Sequence, residues 1–233
     1  KKDVIYFEAG PPPKKNYSSC YQSGPLSFEY FCDDHKIITN SGFGVNISNK
    51  ARLLSRFTSS QSALCLNDTS IMGFERNNMM NKAYGFLTKR DFKILNIVNK
   101  NDSNEIKIKA GHDAYLKNFG CIHNRTIGID KINNKVVGQD KLLKKYVNSK
   151  IKYDVRFHLY PGLTAVETIG GNTLLIQINK NRALLFSTNE KNLKIEKSIF
   201  FGGHKVLDNY CIVISGYLEN NEKTIDWEII KKI

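Results

Sequence analysis

The sequence is poor in proline and methionine, and its cysteines follow no pairing or metal-binding pattern. Its 233 residues include 5 Pro, 5 Cys and 3 Met, with 41% hydrophobic and 11% aromatic residues. This composition excludes a disordered, collagen-like or disulfide-framework protein. No run approaches the roughly 18 consecutive apolar residues that a membrane helix needs, so no membrane partner is expected. Four cysteines lie in or beside apolar runs and are predicted to be buried free thiols: Cys32, Cys65, Cys121 and Cys211.

Several signatures of common enzymes are also absent. The chain has no GxSxG elbow, no P-loop, no GxGxxG after a strand and no HExxH. We therefore predict no cofactor, and residue spacing gives no support for a structural divalent metal. The sequence opens on Lys1 without Met or a signal pattern. We interpret it as a piece of a longer protein.

Acidic residues are fewer than basic ones, and this imbalance indicates which class of molecule the protein binds. There are 35 Lys and Arg against 22 Asp and Glu, a net charge of +13. Such a surface attracts polyanions: nucleic acid, anionic lipid or an acidic polysaccharide. The lysines are scattered in a chain rich in Lys, Asn and Ile, so compositional drift stays an open alternative. Nucleic acid is disfavoured because the aromatic-plus-basic signatures of RNA-binding folds are missing.

What the sequence does have is alternation of apolar and polar residues, with short turn signals between the runs. The period of two predicts strands, and their close spacing predicts a large antiparallel two-sheet β-sandwich over residues 1–233 with little helix. One short helix is predicted at 48–55. The predicted strands are 4–7, 26–32, 35–39, 105–109, 126–130, 154–159, 173–178, 183–187, 193–200, 210–215 and 224–230.

Nine short pieces, in one order along the chain, carry a family resemblance. They are EAGPPP (8–13), GPLSFE (24–29), IITNSG (37–42), RFTSSQSAL (56–64), LNDTS (66–70), GHDAY (111–115), HNR (123–125), VRFHLYP (155–161) and FGG (201–203). With these pieces the chain resembles the C-terminal β-sandwich of the heparinase II/III-like polysaccharide lyases, of the alphaproteobacterial type.

The resemblance implies a two-part enzyme acting on a uronic-acid glycan by β-elimination. An N-terminal helical toroid would supply most of the cleft, including a Tyr and a His or Asn, and the sandwich would line the other side. The partners implied are an acidic polysaccharide and the toroid of the same chain. The implied location is the periplasm or cell envelope of a bacterium. Without the toroid, the 233 residues are expected to be inactive.

The sequence departs from the family at two positions. The family's sandwich histidine lies in an Arg-x-Thr-x-x-His-x-x-Leu run, and here Gln61 occupies the His position after Arg56. Glutamine forms hydrogen bonds but has no useful pKa, so it cannot act as a general acid or base. The second departure is Tyr160, where relatives often carry another His two residues after His158. This makes a metal site on these strands less expected.

A working lyase would need an imidazole near Gln61, and the 112–123 hairpin brings two. We expect these histidines to gather near the 56–61 segment, with arginine holding a uronate carboxylate through its fork and tyrosine stacking on a sugar. Two alternatives stay open: histidines that only tie the hairpin to a loop, and a non-catalytic carbohydrate-binding or structural sandwich. The candidate catalytic residues are His112, His123 and Gln61, and the candidate substrate-binding residues are Arg56, Arg125 and Tyr115.

Overall fold

The computed structural model describes residues 2–74, 88–89, 91–145 and 150–232, and strands dominate this part of the chain. The strands are β1 Asp3–Phe7, β2 Phe28–Cys32, β3 His35–Thr39, β4 Leu64–Leu66, β5 Ile94–Asn101, β6 Glu105–His112, β7 Cys121–Asp130, β8 Lys135–Lys144, β9 Ile151–Leu159, β10 Thr164–Glu167, β11 Thr173–Asn179, β12 Arg182–Thr188, β13 Asn192–Gly202, β14 Lys205–Leu218 and β15 Glu222–Lys232.

Helices are short and lie in the connections. In the described part of the chain the α-helices are α1 Asn49–Leu54 and α2 Leu116–Phe119, and 3₁₀ turns cover Lys15–Cys20, Gly44–Asn46 and Thr58–Ser60. The helix α1 begins where predicted because the Ser48 hydroxyl accepts the Ala51 N–H at 3.0 Å. No helix in the described ranges is long and apolar enough to cross a bilayer.

The strands form two antiparallel sheets. The first sheet has the order β1-β2-β3-β9-β14-β13, and β4 also pairs with β9. The second sheet has the order β10-β11-β12-β15-β8-β7-β6-β5. Alternation places one face of each sheet in the shared core and leaves the other face outward.

Aromatic packing joins the two sheets at the centre of the core. Phe28 of the first sheet stacks on Trp227 of the second, with ring centroids 5.3 Å apart and planes 9° apart. Phe157 meets the same indole edge-on at 4.9 Å. These offset and edge contacts add to the burial of large apolar area.

The predicted all-β two-sheet sandwich is confirmed, and the four cysteines predicted to be buried are free and buried. Strands β4, β5, β8 and β10 were not predicted. The first hairpin strand begins at Phe28 rather than at residue 26 because Leu26 has φ +61°, a left-handed conformation that interrupts an extended strand.

Candidate functional site

All six candidate residues are enclosed by the protein. Arg56, His112, His123 and Arg125 have no exposed surface, and Gln61 and Tyr115 are 1% exposed. This enclosure belongs to the chain by itself, before any further domain is added. None of the six side chains therefore lines an open cleft. In this conformation they cannot contact a sugar directly.

Strand register explains why four of the buried polar groups meet. His112 lies opposite His123 in the β6–β7 pair, and Arg125 lies opposite Asp140 in the β7–β8 pair. Since His123 and Arg125 are two residues apart, they share the inward face of β7. Trp227, on the neighbouring strand β15, completes a group that we call the interior cluster: His112, His123, Arg125, Asp140 and Trp227.

Asp140 is the centre of the interior cluster. Its Oδ1 accepts from His123 Nε2 at 2.6 Å and from Arg125 Nε at 2.7 Å. Its Oδ2 accepts from Arg125 Nη2 at 3.1 Å and from Trp227 Nε1 at 3.0 Å. Burial alone would raise the pKa of the Asp140 carboxyl, but the Arg125 charge and the donors around it hold that pKa well below its usual range.

The two histidines form a one-way chain of hydrogen bonds that ends on Asp140. The Ala114 N–H donates to His112 Nδ1 at 3.3 Å, and His112 Nε2 lies 3.2 Å from His123 Nδ1. Because His123 Nε2–H donates to Asp140, its Nδ1 is free to accept from His112, and both rings are satisfied in the neutral form. Burial lowers the pKa of both imidazoles, which agrees with neutral rings.

The same arginine reaches out of the cluster to two loops. Arg125 Nη1 donates to the carbonyls of Leu26 and Ser62, each at 2.8 Å. Tyr115 donates its hydroxyl to the Leu64 carbonyl at 2.8 Å. The structure thus brings the hairpin residues against the segment of residues 56–64, which we call the Gln61 segment.

Gln61 itself faces inward and packs tightly. Its Nε2 donates to the Ser55 carbonyl at 2.8 Å. A Cβ added at Gly24 would lie 2.8 Å from Gln61 Cγ, so a glycine there makes room for the side chain. The Gln61 amide is therefore used to fix the local chain.

Arg56 anchors the start of the Gln61 segment. Its Nε donates to the Tyr21 carbonyl and its Nη2 to the Ser18 carbonyl, both at 2.7 Å, and its guanidinium lies 4.3 Å from the centre of the Phe74 ring. Burial and nearby Arg52 lower the pKa of Arg56 to about 10. This arginine holds backbone carbonyls, whereas the sequence pattern suggested a carboxylate ligand.

A third histidine, His158, fixes the middle of the Gln61 segment. It is 3% exposed, its Nε2 donates to the Ser59 carbonyl at 3.0 Å, and its Nδ1 accepts from Ser198 at 3.1 Å. The His158 backbone N–H donates to the Ser62 hydroxyl at 2.9 Å. Burial lowers the pKa of His158 to about 4, so the ring is neutral near neutral pH.

Beside His158, charged groups run across the outward face of the first sheet. Arg156 Nη1 donates to Glu196 at 3.0 Å, and its Nη2 lies 3.5 Å from Asp154. We call Asp154, Arg156, His158 and Glu196 the outer stripe. Lysines join it, since Lys152 pairs with Asp154 at 3.1 Å and Lys194 with Glu196 at 3.1 Å.

Sequence reasoning missed Asp140, Trp227 and the anchoring role of His158. A usable signal existed for Asp140, because Val136, Asp140 and Leu142 share the inward face of β8. An acid at an inward position needs a buried cation or several donors. Within the described ranges, no group of three or more His, Cys, Asp or Glu side chains could hold a metal ion.

The arrangement positions loops rather than exposing reactive groups. The interior cluster links the second sheet to Leu26 and Ser62, and the outer stripe holds the Gln61 segment from the first sheet. The hydrogen bonds of the two histidines stay within strands β6, β7 and β8 and the turn at Ala114, whereas Arg125 makes the bonds to the neighbouring loops. A catalytic role for His112, His123 or Gln61 stays a prediction, and it would require this region to open.

Comparison with known proteins places the chain in a family. The family model described as "Heparinase II/III-like, C-terminal" matches residues 2–228. No curated protein matches the sequence significantly. Among solved structures, the heparan sulfate lyase HepC from Pedobacter heparinus is 15% identical with a TM-score of 0.77, covering 98% of this chain and 33% of its own.

A structure of heparinase III is 14% identical with a TM-score of 0.70, covering 98% of this chain and 33% of its own. The chain thus spans about a third of the length of these solved structures. At such identities the likeness shows the sandwich fold, and the family model adds the sequence relationship. The chain belongs to the heparinase II/III-like C-terminal family.

Proposed function

We propose that the chain is the C-terminal sandwich of a polysaccharide lyase that cleaves an acidic, uronate-containing glycan by β-elimination. The observation that carries the proposal is the family match, which extends over residues 2–228. Solved structures of a heparan sulfate lyase and of heparinase III, which share the fold, support the substrate class. The net charge of +13 suits an anionic polymer.

In such a reaction a base takes the C5 proton of the uronate while the carboxylate charge is neutralised. The bond from C4 to the glycosidic oxygen breaks, that oxygen receives a proton, and an unsaturated uronate remains. A general acid or base needs a suitable pKa and access to the substrate. His112, His123 and His158 are buried and their pKa values are lowered.

The proposal therefore divides the work within a longer protein. The sandwich lines one side of the cleft and holds the Gln61 segment in place. Groups on an N-terminal helical toroid of the same chain supply the proton transfers. Within this proposal the parent acts in the periplasm or cell envelope, which fractionation of the producing bacterium would test.

The test measures the ultraviolet absorbance of the unsaturated product. The 233-residue chain and the longer parent are each incubated with heparan sulfate, alginate and other uronate polymers. We expect product from the parent and negligible product from the 233 residues. Turnover by the 233 residues alone would contradict this division of work, and a parent that yields no product from any uronate polymer would contradict the lyase assignment.

One observation favours a second candidate, a sandwich that binds glycan without cleaving it. Gln61 stands where the family pattern has histidine, and its amide donates to a backbone carbonyl. A parent that binds heparan sulfate and forms no product, in the wild type and in the Gln61→His variant, would favour this candidate. Product formation by the wild-type parent would exclude it.

A further inference from the structure

Four aromatic rings and one lysine form a continuous row across the outward face of the first sheet. Tyr6 and Phe31 have ring centroids 5.8 Å apart, and Tyr160 and Phe200 have centroids 5.7 Å apart. Between the two pairs, Lys36 Nζ lies 5.5 Å from the centre of the Phe31 ring and 5.8 Å from that of Tyr160. We call these five residues the aromatic row.

Strand alternation separates the aromatic row from the core. Phe28 and Tyr30 of β2 point inward and are 1% exposed, whereas Phe31 faces outward beside them and is half-buried. Tyr6 is 62% exposed and Tyr160 is 40% exposed. Single exposed apolar residues are ordinary, but neighbouring ones that form a patch mark a surface that binds something.

An ion pair lies within the row and gives it polar groups of both signs. Lys36 Nζ lies 2.7 Å from Glu29 Oε2, and both side chains are partly exposed. Thr39 donates its hydroxyl to Glu29 Oε1 at 3.1 Å, which fixes the carboxylate. Aromatic faces beside oriented polar groups match a sugar, because a pyranose has an apolar C–H face and a rim of hydroxyls.

The row ends next to the Gln61 segment. The Phe201 N–H, one residue after the Phe200 ring, donates to the Ser41 carbonyl at 2.7 Å, and the Ser41 N–H donates to the Ser60 carbonyl at 2.8 Å. A polymer lying along the row would therefore lead directly to the Gln61 segment.

We propose that the aromatic row binds a glycan chain, with sugar rings stacked on the exposed rings of Tyr6 and Tyr160 and sugar hydroxyls bonded to the Lys36–Glu29 pair. The row would hold sugar units beyond those next to the Gln61 segment. This site rests on the proposed function, which makes an acidic polysaccharide the substrate.

The experiment measures the affinity of the 233-residue chain for heparan sulfate oligosaccharides of two lengths by titration calorimetry. We expect Tyr6→Ala and Tyr160→Ala each to weaken binding of a decasaccharide about threefold to tenfold, which is the effect of one aromatic contact. Binding of a disaccharide is expected to change less, because it cannot span the row. Unsulfated heparosan should show the same loss, since stacking does not depend on sulfate.

Tyr217→Ala is the matched control. Tyr217 is 50% exposed on β14, and its ring faces Lys150 at 4.1 Å, away from the row. It is expected to leave affinity unchanged, and far-UV circular dichroism would confirm that all variants are folded. Decasaccharide affinity equal to wild type in both row variants would overturn the proposal, including the case in which this face instead packs against a helical domain.

Binding and cleavage separate this proposal from the lyase assignment. If oligosaccharide affinity of the 233-residue chain falls in both row variants and the longer parent forms no unsaturated product, the row is supported and the lyase assignment is contradicted. If the longer parent forms product and both row variants bind with wild-type affinity, the lyase assignment is supported and the row is contradicted.

Discussion

The interior cluster and the outer stripe use the same chemical groups in opposite ways. In the interior cluster, one carboxylate accepts four hydrogen bonds, and Asp140 and Arg125 have no exposed surface. In the outer stripe, Arg156 and Glu196 have side chains that are 16% and 36% exposed. Each acid of the stripe has a second cation, Lys152 beside Asp154 and Lys194 beside Glu196.

The comparison shows where the fold depends on a single group. Removing a partner from a buried pair leaves an uncompensated charge, whereas a partly exposed group recovers water or another counter-ion. The interior cluster therefore fixes the geometry of the Leu26 and Ser62 loops. In the outer stripe, buried His158 and the Arg156 backbone N–H hold the Gln61 segment, and the charged side chains have counter-ions that can be exchanged.

The largest effect is expected from Asp140→Ala. The change leaves Arg125, His123 and Trp227 without their shared acceptor inside the protein. We expect a loss of about 3–5 kcal/mol in the free energy of unfolding, measured by urea denaturation, because a buried charge loses its partner. A loss below about 1 kcal/mol, the value for exposed pairs, would remove the distinction between the two regions.

The matched control for this variant is Asp154→Ala in the outer stripe. Asp154 is also largely buried, and Ser215 donates to it at 2.6 Å. After this change, the cations that pair with Asp154 still contact solvent or another acid, since Arg156 Nη1 still donates to Glu196 at 3.0 Å. We expect a clearly smaller loss of unfolding free energy than for Asp140→Ala.

The sequence predicted the frame of the sandwich because half-buried strands leave a period of two. It did not predict β8, since Gly138 and Asp140 occupy inward positions and break the apolar alternation. It did not predict β5 either, because this edge strand is mostly exposed and has a register shift between Leu95 and Val98. A strand shows an alternating sequence only where one of its faces is buried, and β5 is mostly exposed on both faces.

For the candidate site, the sequence predicted proximity and missed enclosure. A hairpin between 112 and 123 follows from local spacing, and the structure pairs these residues. Enclosure depends on how Leu26, Ser62 and Trp227 pack over Arg125 and Asp140, and these groups are distant in sequence. Contacts of that kind leave no periodic trace in the chain.

A second prediction concerns pH. The pKa of His158 is lowered from 6.5 to about 4, and the pKa values of His112 and His123 are also lowered. Below about pH 6.5 the unfolded chain binds protons on these rings and the folded protein does not. Stability is therefore complete above that pH and falls with acid until the folded rings also titrate.

The unfolding free energy of the wild type is expected to fall between pH 7 and pH 5, and His158→Gln is expected to make that fall smaller by about 2 kcal/mol. This value follows from the two pKa values of His158. Urea denaturation at both pH values measures it. His204→Gln is the control for replacing a histidine by glutamine, since His204 is exposed in a turn. An unchanged difference in His158→Gln would mean that the folded ring titrates normally.

The smallest effect is expected from Glu196→Gln in the outer stripe. The change removes the acid that pairs with Arg156 and Lys194, but both cations keep access to water, and Arg156 still faces Asp154. We expect the free energy of unfolding to fall by less than about 1 kcal/mol, measured by urea denaturation. The loss of unfolding free energy in Glu196→Gln should be smaller still at 1 M salt. At that ionic strength the Debye screening length is about 3 Å, so dissolved ions screen partly exposed charges. The loss in Asp140→Ala should stay nearly constant over the same salt range, since no ion reaches the enclosed pair. Equal salt dependence in the two variants would show that the interior cluster is open to solvent.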